Sequence, residues 1–277
     1  MTRCKELMNA PLRAAAVLAL AAMAAGPGHA DDLAIPLELP QVNFAGLGVG
    51  AYPDYWGSSD YALGAAPFGR FSLGGARFVR LMANELRVNL LDHPNWQLGP
   101  VGLWRLGRED VENPVVDKVH DIDDSISLGL FGGYVWRDPQ DIRRTAGAST
   151  WVLGDVSDVY NGWTGGLNAF ATQPVAKMLT LAGGAAFTYG DGNYMDEYFG
   201  VRPSDSLASG LPIYVPGSGV RDVRAWTMAL IHLSPQWHLG VGAMYSQLLG
   251  DAADSPLVAD EGSKHQWVYG VSALYAW

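Results

Sequence analysis

Beyond its fourth residue the sequence contains no cysteine. Cys4 precedes the first apolar run, whereas a lipid-modified cysteine would follow it, which argues against a lipoprotein. The rest of the chain has no thiol and no disulfide, so an exported form must draw its stability from the fold itself. Long hydrophobic runs are also missing. The first, Ala14–Ala25, covers twelve residues, short of the roughly 20 that a membrane-spanning helix needs, and no other stretch approaches that length. Basic residues are few, 18 Lys and Arg against 28 Asp and Glu. Phosphate backbones require a basic surface, which argues against nucleic acid as a partner. There is no internal repeat of solenoid period and no linker that would divide two domains.

The N-terminus reads as an export signal. Arg3, Lys5 and Arg13 give a positive start, the apolar run follows, and Gly26-Pro27 break it. Gly28-His29-Ala30 then offers small residues where a signal peptidase reads, so residues 1–30 are expected to be removed near Ala30. About 247 residues remain, with 15 Lys and Arg against 27 Asp and Glu, a net charge of −12. Glycine (34), Trp (10) and Tyr (12) are abundant, a profile that suits two-faced strands better than helices.

Side chains alternate faces along a strand, and a period of two runs through the chain. In Gln266–Trp277, Trp267, Tyr269, Val271, Ala273, Tyr275 and Trp277 share one face, opposite Val268, Gly270, Ser272, Leu274 and Ala276. The same division recurs in Trp237–Tyr245, Leu179–Tyr189 and Ile126–Trp136. Further candidate strands are Val42–Tyr52, Leu63–Leu73, Arg77–Leu91, Trp96–Gly107, Ser149–Val156, Trp163–Thr172 and Arg221–Leu233. These make eleven, whereas bacterial single-chain barrels have an even number. A twelfth is sought in 190–220, and Arg77–Leu91, with Arg80, Glu85 and Arg87 inside it, is the weakest segment. The expected fold is all-β: a single antiparallel up-and-down transmembrane β-barrel of about 12 strands, with 10 as the alternative. Short connections at Ser234-Pro235 and Gln173–Met178 suit the periplasmic side, and long ones at Gly190–Val220 and Asp251–Lys264 suit the outside. A soluble β-sandwich would also alternate, but its solvent face should carry Lys, Glu and Thr, not Trp, Tyr, Val and Leu. A Gram-negative outer membrane follows as the expected location, with outer-membrane lipids and lipopolysaccharide as surroundings. Arg143-Arg144 and Arg221 with Arg224 are the basic pairs that could meet lipopolysaccharide phosphates.

Three stretches resemble the MipA/OmpV family of outer-membrane proteins (MltA-interacting protein and relatives). Gly48–Ser59, with Tyr52, Pro53, Tyr55, Gly57 and Ser58, looks like the family's first strand and following turn. Tyr198, Phe199 and Gly200, then Ser209, Gly210 and Leu211, resemble its Y-F-G-V…S-G-L segment. Gly250, Asp251, Ser255 and Pro256 lie in a stretch similar to its G-D-A-x-x-S-P-L-V. The resemblance implies that residues 31–277 form a barrel of this type, with Trp277 standing where the family commonly has Phe; the aromatic end of the last strand, Tyr275 and Trp277, also fits recognition by the barrel-insertion machinery. It also implies a scaffold role between a lytic transglycosylase and a penicillin-binding protein, with no enzymatic activity. A small-solute channel and an adhesin or antigen are the alternatives.

Read physically, the motif residues are turn formers. Pro53 and Gly57 bend the backbone while Tyr52, Tyr55 and Trp56 would sit at the membrane interface. A docking or solute site is the sharper reading of the same loops. The histidines are the candidates for chemistry. Asp117–Asp124, around His120 and Asp121, is the richest cluster, yet it has no EF-hand spacing and no H-E-x-x-H. Acidic loops are more often merely solvated, and His232 and His238 beside a turn suit hydrogen bonding. Gly46–Gly50 and Gly183-Gly184 lie within strands and read as packing sites. No catalytic, metal-binding or cofactor-binding residue is expected.

Overall fold

The computed structural model describes residues 42–277; the expected signal at 1–30 lies outside them. Twelve strands run β1 (Phe44–Pro53), β2 (Tyr61–Gly74), β3 (Arg77–Met82), β4 (Glu85–Asn89), β5 (Trp96–Arg105), β6 (Ser125–Arg137), β7 (Thr145–Asp155), β8 (Trp163–Ala176), β9 (Leu179–Gly190), β10 (Gly219–His232), β11 (Trp237–Leu248) and β12 (His265–Ala276). Each pairs antiparallel with its sequence neighbours. β1 closes on β12, from Phe44 opposite Ala276 to Ala51 opposite Tyr269. Closure removes every sheet edge except where a strand is short.

The twelfth strand does not come from 190–220. It comes from Arg77–Leu91, which is a hairpin of two short strands rather than one long one. Ala83 adopts φ 51° at the reversal, and the Asn84 side-chain amide donates to the Trp104 carbonyl at 2.8 Å. Segment 190–220 instead holds two helices, α1 (Gly192–Phe199) and α2 (Pro203–Ser209). Asp191 caps α1 by accepting from the Tyr194 N–H at 3.0 Å, and Gly210 ends α2 at φ 84°, the left-handed exit that glycine permits. Two further short helices, α3 (Gly250–Asp254) and α4 (Pro256–Ala259), lie in the last long connection. Among the described residues no helix is long and apolar enough to cross a membrane.

The outward faces carry the lipid-compatible residues. Val49, Leu130, Val152, Val241 and Val271 are all at least half exposed. Aromatic side chains fringe this apolar band at both ends. At the short-turn end, Trp96 meets Tyr134 at 5.0 Å and Trp237 meets Tyr275 at 5.2 Å; at the other end Trp163 stacks on Tyr189 at 5.4 Å. Such girdles mark the two membrane–water interfaces, and the short-turn end is the periplasmic one.

The inward faces carry large side chains as well as small ones. Rings fill much of the barrel, each lying over a glycine on a neighbouring strand. Trp226 is paired with Gly184, Phe170 with Gly147, and Phe68 with Gly46. A β-carbon on those glycines would meet the ring at 2.8, 2.9 and 2.5 Å respectively. The glycines are therefore spaces for specific side chains, in keeping with their reading as packing sites.

Candidate functional site

The long connections fold over the outer mouth as a packed lid. Its core joins Tyr194, Met195, Tyr198 and Phe199 of α1 to Trp56 and Val258. A second cluster joins Tyr55, Val116, Val201 and Leu257. Tyr55 and Trp56 are therefore buried in the lid, and Tyr52 is buried with its ring over Gly64, so none of the three is placed in an interface belt as their sequence suggested. Desolvation within the lid outweighs membrane anchoring because the β1–β2 connection turns inward over the lumen.

The three motif stretches meet in this lid. Ser255 Oγ donates to the Phe199 carbonyl at 2.7 Å, and Tyr55 Oη to the Leu257 carbonyl at 3.5 Å. The Gly57 carbonyl accepts from the Ser263 N–H at 2.7 Å, and the Ser58 carbonyl from Gln266 Nε2 at 3.0 Å. Ser58 Oγ also accepts from the Asp60 N–H at 2.9 Å. Asp251 ties the lid laterally: its carboxylate accepts from the Gly217 N–H at 2.6 Å and its carbonyl from Tyr214 Oη at 2.9 Å. Ser209 Oγ bonds the Asp205 carbonyl at 2.6 Å, Gly210 closes α2, and Leu211 is buried. Gly250 has φ 49° and starts α3, Pro256 starts α4, and the Gly200 N–H caps α1 on the Asp196 carbonyl. Tyr52 and Pro53 end β1, with the Tyr52 ring over Gly64. Tyr275 and Trp277 stand apart, stacked at 6.2 Å on the outer surface of the periplasmic end.

His120 belongs to the lid as well. Its Nδ1 lies 2.7 Å from Asp205 Oδ2 and its Nε2 3.7 Å from Glu197 Oε1, linking the β5–β6 connection to both α1 and α2. Of the neighbouring acids, Asp124 braces the loop. Asp124 accepts from the Gly107 N–H at 2.8 Å and from Trp104 Nε1 at 3.0 Å. Burial of Asp205 works to raise its pKa, but the hydrogen bond from His120, the Arg202 N–H and the charge of His120 outweigh it, and the carboxyl is held below its ordinary 3.8. Burial pushes the Tyr55 phenol well up, against the lowering pull of Arg108. Among the described residues no cluster of three or more His, Cys, Asp or Glu is arranged to hold a metal ion.

Beneath the lid the lumen is basic, although the chain is acidic. The strands turn Arg70, Arg80, Arg87, Arg105, Arg221 and Arg224 inward between the barrel's lips, against Glu85 and Asp222. Arg87 Nε lies 2.7 Å from Glu85, and Arg221 Nε 2.6 Å from Asp222. A register shift between Val220 and Asp222 lets Arg221 and Asp222 both enter the barrel, as a β-bulge does. Arg221 also reaches the Tyr194 hydroxyl and stands over the Trp56 ring at 5.4 Å. Arg221 and Arg224, read from sequence as lipopolysaccharide contacts, thus belong to the interior. Arg143 and Arg144 lie in the periplasmic β6–β7 turn, bonded to Asp141 and Asp138 at 2.8 and 3.0 Å, away from the outer leaflet. The arginine row escaped the sequence reading, although Arg80, Glu85 and Arg87 fall on one face of the β3–β4 hairpin once the break at Ala83 is known. His232 and His238 point inward at the periplasmic end, Nδ1 to Nδ1 at 2.8 Å, with His232 Nε2 2.8 Å from Thr180 Oγ1.

A closed twelve-stranded antiparallel barrel with two aromatic girdles and a lipid-facing apolar band is an outer-membrane β-barrel, and the Gram-negative outer membrane is where this one resides. The family model for MltA-interacting protein MipA matches residues 45–277, and the chain belongs to that family. YiaT of Escherichia coli K12, described as a candidate outer membrane protein, is 32% identical over 124 residues, 43% of this chain and 47% of YiaT; the protein of that name in E. coli O157:H7 matches equally. The matched stretch thus spans about half the length of these relatives. Among solved structures the NanC porin aligns over 83% of this chain and 98% of its own, at 9% identity and a TM-score of 0.50. That likeness concerns fold alone. An outer-membrane channel from Pseudomonas putida F1 aligns at a TM-score of 0.48 and 12% identity, over 89% of this chain and 98% of its own.

Proposed function

We propose that the protein is a non-enzymatic outer-membrane scaffold that presents its periplasmic rim to murein-processing enzymes, a lytic transglycosylase and a penicillin-binding protein. Membership of a family described as MltA-interacting supports this reading. The observation that carries it is the lid. With the outer mouth packed by α1, α3 and α4 against Tyr55 and Trp56, the periplasmic turns are the surface left to act inside the envelope. Capture of periplasmic proteins on the purified barrel tests it. Enrichment of a lytic transglycosylase over an unrelated twelve-stranded barrel, reduced by substitutions in the 138–144 turn, is the expected result. Equal recovery on both barrels refutes it.

A second reading is favoured by one specific feature, the excess of arginine in the lumen. On this reading the barrel passes small anions when the lid swings aside. In planar bilayers the intact protein would be nearly silent. A variant lacking residues 192–218 would conduct with anion preference, because fixed positive charge concentrates counter-anions in a low-dielectric passage. Cation preference, or an open intact pore, rejects it.

A further inference from the structure

The wall of the barrel is incomplete on one side. β2 pairs with β1 along its length, from Phe44 opposite Arg70 to Pro53 opposite Tyr61. With β3 it pairs only from Phe68 downward, where Met82 is the partner. The last link above that is the Ala83 N–H to the Pro67 carbonyl at 2.9 Å. Pro67 has no N–H to continue the ladder on that side. The β3–β4 hairpin turns at Ala83-Asn84, level with the middle of β2, and β4 pairs with β5 at Glu85–Arg87, the Trp104 N–H to the Asn84 carbonyl at 3.0 Å being the link beyond them. Among the described residues, 61–66 of β2, roughly 20 Å of strand at about 3.3 Å per residue, therefore have a strand partner on the β1 side and none on the β3 side. Leu106, just past β5, lines the side of this notch opposite β2.

A cavity of about 160 Å³ lies behind the notch. Its lining reaches both rims, Gly64 and Ala66 on one side and Ala83 and Leu106 on the other, and extends inward to Met82 and Met228. Apolar cavities of this size accept small hydrocarbon groups. The lining takes in the unpaired stretch of β2 and no residue of the lid helices, which favours a sideways approach. Leu63, 80% exposed, and Val49 near it face outward into hydrocarbon, just below Tyr61 at the outer end of β2. Unpaired main-chain groups at this depth are costly unless something satisfies them, and the odd-numbered β2 residues Leu63 and Ala65 turn theirs toward the notch.

We propose that this notch admits the end of one acyl chain of an outer-leaflet lipid, which lies in the cavity behind it while the lipid's ester or amide region sits against the free edge of β2. The occupant is a bilayer lipid because the medium that touches the opening is the acyl region of the membrane. This inference is independent of the scaffold reading, since it concerns the wall and not the periplasmic rim.

The test reconstitutes the intact barrel in vesicles containing phosphatidylethanolamine with a photoactivatable diazirine near the end of one acyl chain, then maps adducts by mass spectrometry. Adducts are expected on Met82 and Met228 inside the barrel as well as on outward Val49 and Val271. Gly48→Leu fills the cavity with little strain, because a β-carbon there meets nothing closer than 3.5 Å. In that variant the inner adducts should fall to background while the outer ones persist. Ala66→Leu provides a second filler, and heat-shifted electrophoretic mobility verifies that each variant is folded. Adducts confined to the outward face would overturn the proposal. So would inner labelling in detergent by a free diazirine fatty acid with none from the phospholipid, which points to a soluble amphiphile arriving by another route.

Discussion

Single residues hold the lid, and their contributions are separable. Ser255 accepts from the Leu257 N–H and donates to the Phe199 carbonyl, all buried. Ser255→Ala leaves that carbonyl without its donor and should destabilise the lid by about 1–2 kcal/mol, read as faster amide hydrogen exchange in 192–199 with the strands unchanged. Phe199→Ala, at a side chain 1% exposed, should cost about 3–5 kcal/mol by the same readout. Gly57 sits at φ 105°, and a β-carbon there would lie 2.5 Å from Val258 Cγ2. Gly57→Ala is thus strained twice, by conformation and by contact. Asp205 supplies the pH dependence. Its carboxyl is depressed from 3.8 in the folded protein, so the folded state binds its proton less readily than the unfolded one. That contact stabilises above pH 3.8 and is lost as pH falls through the depressed value. Comparing thermal midpoints of wild type and Asp205→Asn at pH 7 and pH 3 measures this: the gap between them should be present at pH 7 and shrink at pH 3. At this scale the sequence was legible as a set of turn formers. That Ser255, Gly57 and Phe199 are neighbours depends on barrel closure, which no local pattern encodes.

At the scale of elements, alternation was a reliable guide wherever both faces of a strand differ in chemistry. Gln266–Trp277 and Trp237–Tyr245 lie within a residue or a few of their observed bounds because Trp, Tyr and Val on one side need hydrocarbon. The pattern failed at Arg77–Leu91. Arg80 and Arg87 both face the lumen on opposite arms of a hairpin, and alternation has no mark for the reversal except an unremarkable Ala83-Asn84. Alanine at φ 51° carries a steric cost of about 1–2 kcal/mol that glycine avoids. Ala83→Gly should therefore raise the midpoint of the heat-dependent mobility shift slightly, and Ala83→Val should lower it. The helices α1 and α2 were hidden for a different reason. They are seven or eight residues long, too short for their own periodicity to emerge; α1 is held by burial of Tyr194 and Tyr198, and α2 by buried Asp205 paired with His120.

For the whole molecule, the sign of the interior charge could not be inferred from composition. The chain is acidic, at −10 overall, yet its acids lie mainly in connections while six arginines point inward. Barrel closure sorts the two, because only inward positions of strands reach the lumen. The lack of cysteine beyond Cys4 makes the membrane arrangement directly measurable, since single cysteines can be introduced without background. Three positions suffice: Leu207 in the lid, 90% exposed; Leu130 on the outward face of β6, 64% exposed; and Lys177 in the β8–β9 turn. With a membrane-impermeant maleimide we expect Leu207→Cys to react in intact cells, Lys177→Cys only after the outer membrane is permeabilised, and Leu130→Cys only after denaturation. Reaction of Lys177→Cys in intact cells would invert the barrel, and reaction of native Leu130→Cys would mean that water, not lipid, covers its outer face.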